Sequence, residues 1–125
     1  MAETRILLVE DDEDVLAILD LALCAEGYVV DTAGTVAQGM TRLAGMRYSL
    51  VATDWRLPDG QGALIADHAA DLGAKTIIYT GYLFSTPVET ARRHELLMKP
   101  MRPSEFISVV KRLLGEAGVE NSVEE

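Results

Sequence analysis

The sequence predicts an α/β fold: a doubly wound, five-stranded parallel sheet with five helices on its two faces. Short apolar runs alternate with segments of helical period along 125 residues, the length of one ordinary domain. The runs are apolar throughout, which is typical of strands buried on both faces of a sheet. Neither a repeat nor a linker interrupts this order, so we expect one domain over residues 1–116 and a short acidic tail over residues 117–125.

Five apolar runs are predicted to form the strands, and most are followed at once by a polar or charged residue. In chain order they are Ile6–Val9, Tyr28–Thr32, Leu50–Thr53, Thr76–Tyr79 and Leu96–Met98. The segments between them have the period of amphipathic helices, so each pair of consecutive strands is expected to be joined by a crossover helix.

The first three helices are predicted from apolar residues at helical spacing and from glycine at their ends. The first ends at Gly27, and its apolar face carries Val15, Leu16, Leu19, Ala22 and Leu23. The second begins near Thr35 and ends by Gly45. Its inward side chains are Val36, Met40, Leu43 and Ala44. The third covers about Gly62–Leu72 and is closed by Gly73.

The fourth helix is predicted to be short or irregular and to end near Arg93. Its start is indicated by Thr86 as N-cap, Pro87 at the first helical position and Glu89 as the partner in a capping box. The last helix follows Pro103, and its apolar face carries Phe106, Val109, Val110, Leu113 and Leu114.

Charge and cysteine content narrow the possible partners and locations. Eleven basic and twenty acidic residues give a net charge of −9, which disfavours nonspecific binding to nucleic acid or to an anionic membrane and favours a basic protein partner. Cys24 is the only cysteine, so neither an intrachain disulfide nor a zinc site of several thiolates can form. Because neither a signal sequence nor an apolar run of membrane-spanning length is found, we expect a cytoplasmic protein.

Polar groups follow the predicted strands at the edge where parallel strands end together. Glu10 and Asp11 follow the first strand, Asp54 the third, Thr80 the fourth and Lys99 the fifth. Two carboxylates about 4 Å apart repel by about 4 kcal/mol at an effective dielectric constant of 20, so this cluster needs a counter-charge. Magnesium prefers a few carboxylates together with water and phosphate oxygens, and the lysine adds a second positive charge. The sequence therefore predicts a Mg²⁺ site at this edge.

Four segments at these strand ends resemble the receiver domain of response regulators in two-component signalling. They are LLVEDD at the first strand, VATDWRLPDGQG around the third, IIYTG at the fourth and LLMKPM at the fifth. Each segment alone is weak evidence, but the four in this order form a specific pattern that covers nearly the whole chain. The receivers that it resembles are stand-alone proteins similar to the chemotaxis regulator. The resemblance implies the flavodoxin-like strand order 2-1-3-4-5 and a cis peptide bond before Pro100.

The resemblance also implies how the acidic residues are used. Asp54 would accept a phosphoryl group from the phosphohistidine of a sensor histidine kinase or a histidine phosphotransferase. Glu10, Asp11 and Asp54 would bind Mg²⁺ together with the backbone carbonyl of Arg56. Phosphoryl transfer consists mainly of positioning and charge neutralisation, so an ionised carboxylate, a metal ion and a lysine are sufficient.

The remaining implications concern the response to phosphorylation. Thr80 and Lys99 match the hydroxyl and ammonium groups that bind the phosphoryl oxygens. The protein would not be an enzyme in the usual sense, since it would catalyse only its own phosphorylation and autodephosphorylation at Asp54. It would relay the signal by contact with a downstream protein, without nucleic acid or membrane, as a monomer or as a weak dimer when phosphorylated.

Three features depart from the family pattern, and all lie on the output side of the domain. Leu96 stands three positions before Lys99, where many receivers carry an aromatic residue that moves with the threonine. The stretch between the threonine and the lysine is shorter than is common, and Gly81 stands where alanine is frequent. We expect Tyr82 or Phe84 to replace the missing aromatic side chain.

Several conspicuous residues also have simple structural explanations. Asp12 and Asp14 are expected to cap the first helix, where acids interact favourably with the helix dipole, and Asp11 could act in the same way. His68 lies near the apolar face of the third helix, where packing explains it. His94 is expected at a helix end, where a cation interacts favourably with the dipole.

Other functions compete with a phosphorylated switch. A dehalogenase-type phosphatase would need a second acid two residues after the nucleophile, where Arg56 stands. A flavodoxin-like carrier of flavin mononucleotide would need a phosphate loop rich in Ser, Thr and Gly after the first strand, where this chain has acids. A receiver-like module that binds its partner without phosphorylation stays open because the output side is unusual.

Overall fold

The computed structural model describes residues 3–81 and 86–116. The strands are β1 (Arg5–Val9), β2 (Val29–Ala33), β3 (Leu50–Asp54), β4 (Arg56–Leu57), β5 (Gly60–Gln61), β6 (Lys75–Thr80) and β7 (Glu95–Met98). The helices are α1 (Glu13–Ala25), α2 (Val36–Gly45), α3 (Gly62–Asp71), α4 (Val88–Arg93) and α5 (Pro103–Leu113). Within these ranges every predicted strand and helix is present, and the two-residue strands β4 and β5 are an addition that the sequence did not predict.

Five of the strands form one parallel sheet in the order β2-β1-β3-β6-β7, and β4 pairs with β5 in a separate antiparallel hairpin. Counted along the large sheet alone, this is the predicted order 2-1-3-4-5, and the flavodoxin-like fold is confirmed. The order reverses between β1 and β3, so the groups that follow these two strands lie at the switch point where ligands bind in such sheets. In register, Val9 pairs with Thr53 and Asp54 pairs with Tyr79.

Helices cover both faces of the sheet, with α1 and α5 on one face and α2 and α3 on the other. Along β1, Ile6 and Leu8 point into the core under α1 and α5, whereas Leu7 and Val9 point into the core under α2 and α3. All four side chains are fully buried, and each such burial contributes about 1.5–3 kcal/mol to folding. The apolar runs are therefore buried on both faces, as their composition predicts.

The ends of α1 follow the predicted signals. Asp12 is the N-cap, and its Oδ1 atom accepts hydrogen bonds from the N–H groups of Asp14 at 2.9 Å and Val15 at 3.2 Å. Leu23 on the inward face is fully buried. Gly27 follows the helix with a φ of 92°, a left-handed conformation that favours glycine.

Two predictions in the second βα unit were wrong. Strand pairing with β1 covers Val29–Ala33, one residue later than the predicted Tyr28–Thr32. Ala44 was predicted to face inward but is exposed, because the buried face of α2 runs through other residues, Gly39 among them. A Cβ atom on Gly39 would lie 2.7 Å from Cδ1 of Ile65, so the absence of a side chain allows α2 to approach α3 closely.

Helix α4 is short, as predicted, but its start was predicted wrongly. Pro87 is the N-cap rather than the first helical residue, because its ψ of 145° is extended. Thr86 is therefore not the N-cap, and the capping box predicted between Thr86 and Glu89 was wrong, since the N-cap is Pro87, which makes no side-chain cap hydrogen bond. The helix ends at Arg93 as predicted, and none of its six residues is buried.

Some predictions fall outside the described ranges. These are the roles of Tyr82 and Phe84 and the acidic tail over residues 117–125. Over residues 3–81 and 86–116, none of the helices combines the length and the apolar content that crossing a membrane requires.

Candidate functional site

The residues predicted for the site lie at the carboxyl edge of the large sheet. Glu10 follows β1 and Lys99 follows β7, while Asp54 and Thr80 are the last residues of β3 and β6 rather than the residues just after them. The N–H group of Lys99 donates a hydrogen bond of 2.9 Å to the carbonyl of Thr80, which extends the pairing of β6 and β7 to the edge. The peptide bond between Lys99 and Pro100 is cis, as the resemblance implied.

Three carboxylates form an acidic cluster at this edge. One oxygen each from Glu10, Asp11 and Asp54 lies within 4.8 Å of the other two. Glu10 and Asp54 are buried, with 1% and 7% of their surface exposed, whereas Asp11 is exposed. Several oxygen ligands with one side open to water are the arrangement that a hard divalent cation prefers.

One oxygen of Glu10 lacks a hydrogen-bond partner. Its Oε2 atom accepts a hydrogen bond of 3.0 Å from the N–H of Asp12, whereas Oε1 is buried and accepts none among the described residues. The Nζ atom of Lys99 is 3.9 Å from Oε1, too far for a hydrogen bond. A buried charged oxygen without a partner is unfavourable, so this atom fits a site made for a cation.

The ionisation of Glu10 supports the same interpretation. Burial raises the pKa of Glu10 to about 7; the charges of Asp54 and Asp11 also raise it, while the N–H of Asp12 and the charge of Lys99 lower it. The protein alone therefore stabilises the carboxylate poorly at neutral pH. A nearby cation would favour the ionised form.

Lys99 connects the acidic cluster to the core. Its Nζ atom donates a hydrogen bond of 2.8 Å to Oδ2 of Asp54. Partial burial lowers the pKa of Lys99, but this bond and the charges of Asp54, Glu10 and Asp11 outweigh burial and raise it. The Nζ atom also lies 5.4 Å from the centre of the Tyr79 ring, within the range of a cation–π interaction.

Tyr79 is a residue of the site that the sequence reasoning missed. It is fully buried, and its hydroxyl donates a hydrogen bond of 2.9 Å to the carbonyl of Val9, the residue before Glu10. Tyr79 thus supports both the strand that delivers the acids and the lysine that faces them. A polar aromatic residue between two isoleucines and Thr80 was the signal that could have identified it.

The start of α3 packs directly against the backbone of Asp54. A Cβ atom on Gly62 would lie 1.9 Å from the carbonyl oxygen of Asp54 and 2.6 Å from Oγ1 of Thr53. The N–H of Gly62 donates a hydrogen bond of 2.8 Å to the carbonyl of Trp55. Only glycine permits this contact, which fixes the backbone on both sides of the Asp54 side chain.

Open space lies beside the acidic cluster. A cavity of about 410 Å³ is lined by Asp54, Trp55, Arg56, Thr80, Gly81 and Lys99. The structure therefore brings Asp54, Thr80 and Lys99 to one cavity.

Leu96, which stands where many receivers have an aromatic residue, is half-buried on β7. It packs against a cluster formed by Trp55, Ala66 and Ile78. Because Trp55 directly follows Asp54, this apolar contact joins β7 to the neighbour of the central aspartate.

His94 has a larger structural role than the sequence predicted. It is the C-cap residue of α4, as expected of a histidine at a helix end, but it is buried. Its Nε2 atom lies 2.7 Å from Oδ1 of Asp67 on α3, and its Nδ1 atom is hydrogen-bonded to the hydroxyl of Thr76 on β6. Because a carboxylate only accepts, Nε2 carries the hydrogen. His94 thus attaches the end of α4 to two other elements, far from the acidic cluster.

Comparison with known proteins agrees with this fold. The family model of the response regulator receiver domain matches residues 6–111. The response regulator receiver protein CpdR of Brucella abortus is 29% identical over 115 residues, which cover 88% of this chain and 96% of that protein. The transcriptional regulatory protein PmrA of Pectobacterium parmentieri is 43% identical over 58 residues, which cover 46% of this chain and 26% of PmrA.

The chain spans only part of some curated relatives. It covers 50% of the DNA-binding response regulator MtrA of Mycobacterium tuberculosis, to which it is 28% identical over 114 residues, or 88% of its own length. Its similarity to MtrA is therefore similarity to one half of a longer protein.

Solved structures of similar chains agree in fold. A CheY-like response regulator receiver domain protein from Methanospirillum hungatei superposes with a TM-score of 0.81 at 30% identity, over 95% of this chain and 99% of that one. The response regulator TrrA from Thermotoga maritima, solved in complex with Mg²⁺ and BeF, gives a TM-score of 0.79 at 27% identity, over 88% and 98% of the two chains.

Proposed function

We propose that this chain, which belongs to the response regulator receiver domain family, is a phosphorylation-dependent switch of two-component signalling. Asp54 accepts a phosphoryl group from the phosphohistidine of a sensor histidine kinase or of a histidine phosphotransferase. The observation that carries the proposal is the contact of 2.8 Å between the Lys99 ammonium and Asp54, inside a cluster of three carboxylates at the switch point of the sheet.

The transfer needs no general base. A carboxylate oxygen of Asp54 forms a bond to phosphorus while the bond from phosphorus to the histidine nitrogen breaks, and that nitrogen keeps the bonding electrons. The ammonium of Lys99 contacts the Asp54 carboxylate before the reaction and faces the added negative charge afterwards. Thr80 lines the same cavity, and we expect its hydroxyl to donate a hydrogen bond to a phosphoryl oxygen. In autodephosphorylation, a water oxygen forms a bond to phosphorus while the bond from phosphorus to the Asp54 oxygen breaks. Inorganic phosphate and a proton leave, and Asp54 is again a free carboxylate.

Mg²⁺ is the cofactor that the residues fit. Glu10, Asp11 and Asp54 would hold it with the backbone carbonyl of Arg56, and the unpartnered Oε1 atom of Glu10 supports this assignment. When bound, the ion neutralises charge on the phosphoryl oxygens during transfer. The similar protein TrrA was solved with Mg²⁺ and BeF, which supports the same chemistry here.

The output is contact with a downstream protein. The added negative charge at Asp54 would attract the Thr80 hydroxyl and the Lys99 ammonium. Thr80 ends β6 and Lys99 follows β7, so we expect the segment between these two strands to change position on phosphorylation and to contact the partner. With a net charge of −9, this chain is a poor nonspecific ligand for nucleic acid or for an anionic membrane. We place it in the cytoplasm, as a monomer or as a weak dimer when phosphorylated.

Intact mass after incubation with acetyl phosphate tests the proposal. Wild-type protein with Mg²⁺ should gain the mass of one phosphoryl group, and neither Asp54→Asn nor protein in excess chelator should gain it. Asp14→Asn is the matched control, because Asp14 is an exposed acid in the first turn of α1 outside the cluster.

A second donor separates the outcomes. If acetyl phosphate gives no adduct on folded wild-type protein, phosphorylated histidine kinases are tried next. Labelling of Asp54→Asn by either donor would contradict Asp54 as the acceptor. Failure of both donors on wild-type protein would favour the alternative function, a receiver-like module that binds its partner without phosphorylation.

A further inference from the structure

The turn between β4 and β5 is attached to the start of α2 by a single side chain. Oδ1 of Asp59 accepts a hydrogen bond of 2.7 Å from the N–H of Val36, and Oδ2 accepts one of 3.0 Å from the N–H of Ala37. The partners lie 23 and 22 positions apart in the sequence. Because both oxygens are used, the contact fixes the direction of the turn as well as its distance from the helix.

The carboxylate of Asp59, which is exposed, adds two hydrogen bonds to the first turn of α2. Its own N-cap, Thr35, accepts a hydrogen bond of 3.0 Å from the N–H of Gln38 through Oγ1, and no acidic residue lies in the first turn. The N–H groups of Val36 and Ala37 would otherwise lack a protein acceptor, as helix starts leave such groups unpaired. The two bonds lower the pKa of Asp59, so an ionised carboxylate faces the positive end of the helix dipole.

The hairpin that Asp59 anchors joins Asp54 to α3. Its base is fixed, since the N–H of Gly62 bonds to the carbonyl of Trp55 and Gly62 packs against Asp54. In the middle, Leu57 is buried in the core under α2 and α3. Two strands of two residues each are too short to hold a hairpin by their own pairing, so the position of the turn depends on its contact with α2.

Arg56 lies on this hairpin, two residues after Asp54, and its carbonyl is the fourth ligand in the proposed Mg²⁺ site. We infer that Asp59 is a positioning residue, which holds the hairpin against α2 and thereby keeps the Arg56 carbonyl where a divalent cation can bind it. This inference rests on the proposed function, because the carbonyl is a ligand only if Mg²⁺ binds between the carboxylates. Asp59 itself contacts the amides of α2 rather than the acidic cluster.

The inference also implies the reverse effect. If the attachment of the turn favours metal binding, metal binding must favour the attachment by the same factor, because the two equilibria are linked. The amide hydrogens of Val36 and Ala37 should therefore exchange more slowly with solvent when Mg²⁺ is present.

Magnesium titrations of four proteins test the inference: wild type, Asp59→Ala, Asp59→Asn and Thr35→Ala. Binding is followed by the fluorescence of Trp55, which is buried beside Asp54, and by isothermal titration calorimetry. Asp59→Ala should bind Mg²⁺ about tenfold more weakly than wild type. Replacing a residue that supports a metal ligand typically weakens metal binding by about 10- to 100-fold, and we expect the lower end of this range. Asp59→Asn, which retains one acceptor oxygen, should lie between Asp59→Ala and wild type.

Thr35→Ala separates positioning from helix capping. It removes the other cap of α2 but leaves the hairpin attached, so its unfolding midpoint should fall while its Mg²⁺ affinity stays at the wild-type value. Asp59→Ala and Asp59→Asn lose the same charge, so an effect of charge alone would weaken both equally. Magnesium titration in about 1 M potassium chloride is a second test for an effect of charge alone. The Debye length is then about 3 Å, so distant charges are screened and a difference caused only by the charge of Asp59 should disappear.

The outcomes distinguish the inference from the proposed function. If wild type binds Mg²⁺ and Asp59→Ala binds it equally well, the inference is overturned and the proposed function stands. Equal weakening by Thr35→Ala and Asp59→Ala would also overturn it, since capping alone would explain the result. If wild-type protein does not bind Mg²⁺ at all, the proposed metal site fails and the inference fails with it. If Asp59→Ala does not fold, the Mg²⁺ affinities of Asp59→Asn and Thr35→Ala are compared instead. Weaker binding by Asp59→Asn alone supports the inference, and equal affinities overturn it.

Discussion

The acidic edge and helix α4 are held in place in opposite ways. Asp54 ends a strand in which all five residues are buried, and Gly62 packs so closely against its backbone that no side chain fits between them. Helix α4 has six residues, none of them buried. Its end is attached to α3 and β6 by the hydrogen bonds of His94 and the ion pairs of Arg93.

This difference shows that the proposed phosphorylation site and the segment that would report on it have separate sources of stability. Close packing fixes the site, so a change there disturbs the whole fold. A few polar contacts fix α4, so their loss should release that helix and leave the site intact. A switch needs this combination, because a rigid site must act on an element that can move with little energy.

Replacing Gly62 with alanine should have the largest effect. The added Cβ atom would lie 1.9 Å from the carbonyl oxygen of Asp54, so the backbone must move, and overpacking of this kind costs about 3 kcal/mol. Urea denaturation measures the free energy of unfolding, and labelling by acetyl phosphate should fall as well. Gly45→Ala is the control, because nothing lies within 4 Å of a Cβ atom there. Equal stability of the two variants would contradict the close contact.

The stability of the metal-free protein should fall as pH rises from about 4.5 to about 7. The pKa of Glu10 is raised from 4.5 to about 7, so the native state keeps a proton that the unfolded chain has already released. The protonated Glu10 side chain contributes on the order of 3 kcal/mol at most to the free energy of unfolding. This contribution is complete below pH 4.5 and is lost as pH rises through 7. Thermal unfolding in chelator measures it. The control is Glu10→Gln, which has no titratable group at this position. If stability depends on pH equally in wild type and in Glu10→Gln, Glu10 is not the group responsible.

Replacing His94 with alanine should destabilise the α4 end of the molecule and spare the acidic edge. The Thr76 hydroxyl would lose its buried partner, which costs about 1–3 kcal/mol. Hydrogen exchange should become faster in α4 and β7, while the Mg²⁺ titration of Trp55 should not change. Thr76→Ser keeps the hydroxyl and is the matched control. A loss of Mg²⁺ affinity in His94→Ala would show that the two regions are coupled rather than separate.

The smallest effect is expected at Arg93. Its guanidinium pairs with Asp67 at 3.2 Å and with Asp71 at 3.1 Å, but all three side chains are well exposed to solvent. Exposed ion pairs contribute about 0–1 kcal/mol, so Arg93→Ala should shift the urea midpoint far less than His94→Ala. A larger shift for Arg93→Ala would mean that ion pairs rather than buried hydrogen bonds hold α4.

The sequence predicted the large sheet and the acidic edge well because both depend on local patterns. Strands buried on both faces must be apolar throughout, so β3 and β6 are recognisable within one or two residues. Parallel strands also end together, so the polar residue after each run could be assigned to one edge. This reasoning brought Glu10, Asp54, Thr80 and Lys99 together, and the structure places them at that edge.

What the sequence could not predict depends on contacts between distant residues. The hairpin of β4 and β5 has two residues in each strand, too few to show an alternating pattern. Asp59 caps a helix that begins 23 residues earlier, and a cap from so distant a residue leaves no local signal in the sequence. His94 has no apolar neighbours that mark it as buried, since its partners Asp67 and Thr76 come from α3 and β6. The start of α4 was misplaced because Pro87 is compatible with the N-cap and with the first helical position alike.

The four consecutive acids at the start of α1, residues 11–14, are all exposed, and the first of them, Asp11, belongs to the acidic cluster that contains Asp54. They repel a small anionic phosphodonor such as acetyl phosphate, so ionic strength increases the rate at which such a donor reaches Asp54. The same charges attract a protein donor with a basic face, whose association slows as ionic strength rises. If Asp54 is the phosphoacceptor, we therefore expect the charge at the start of α1 to select among phosphodonors by the sign of their own charge, before any specific contact forms.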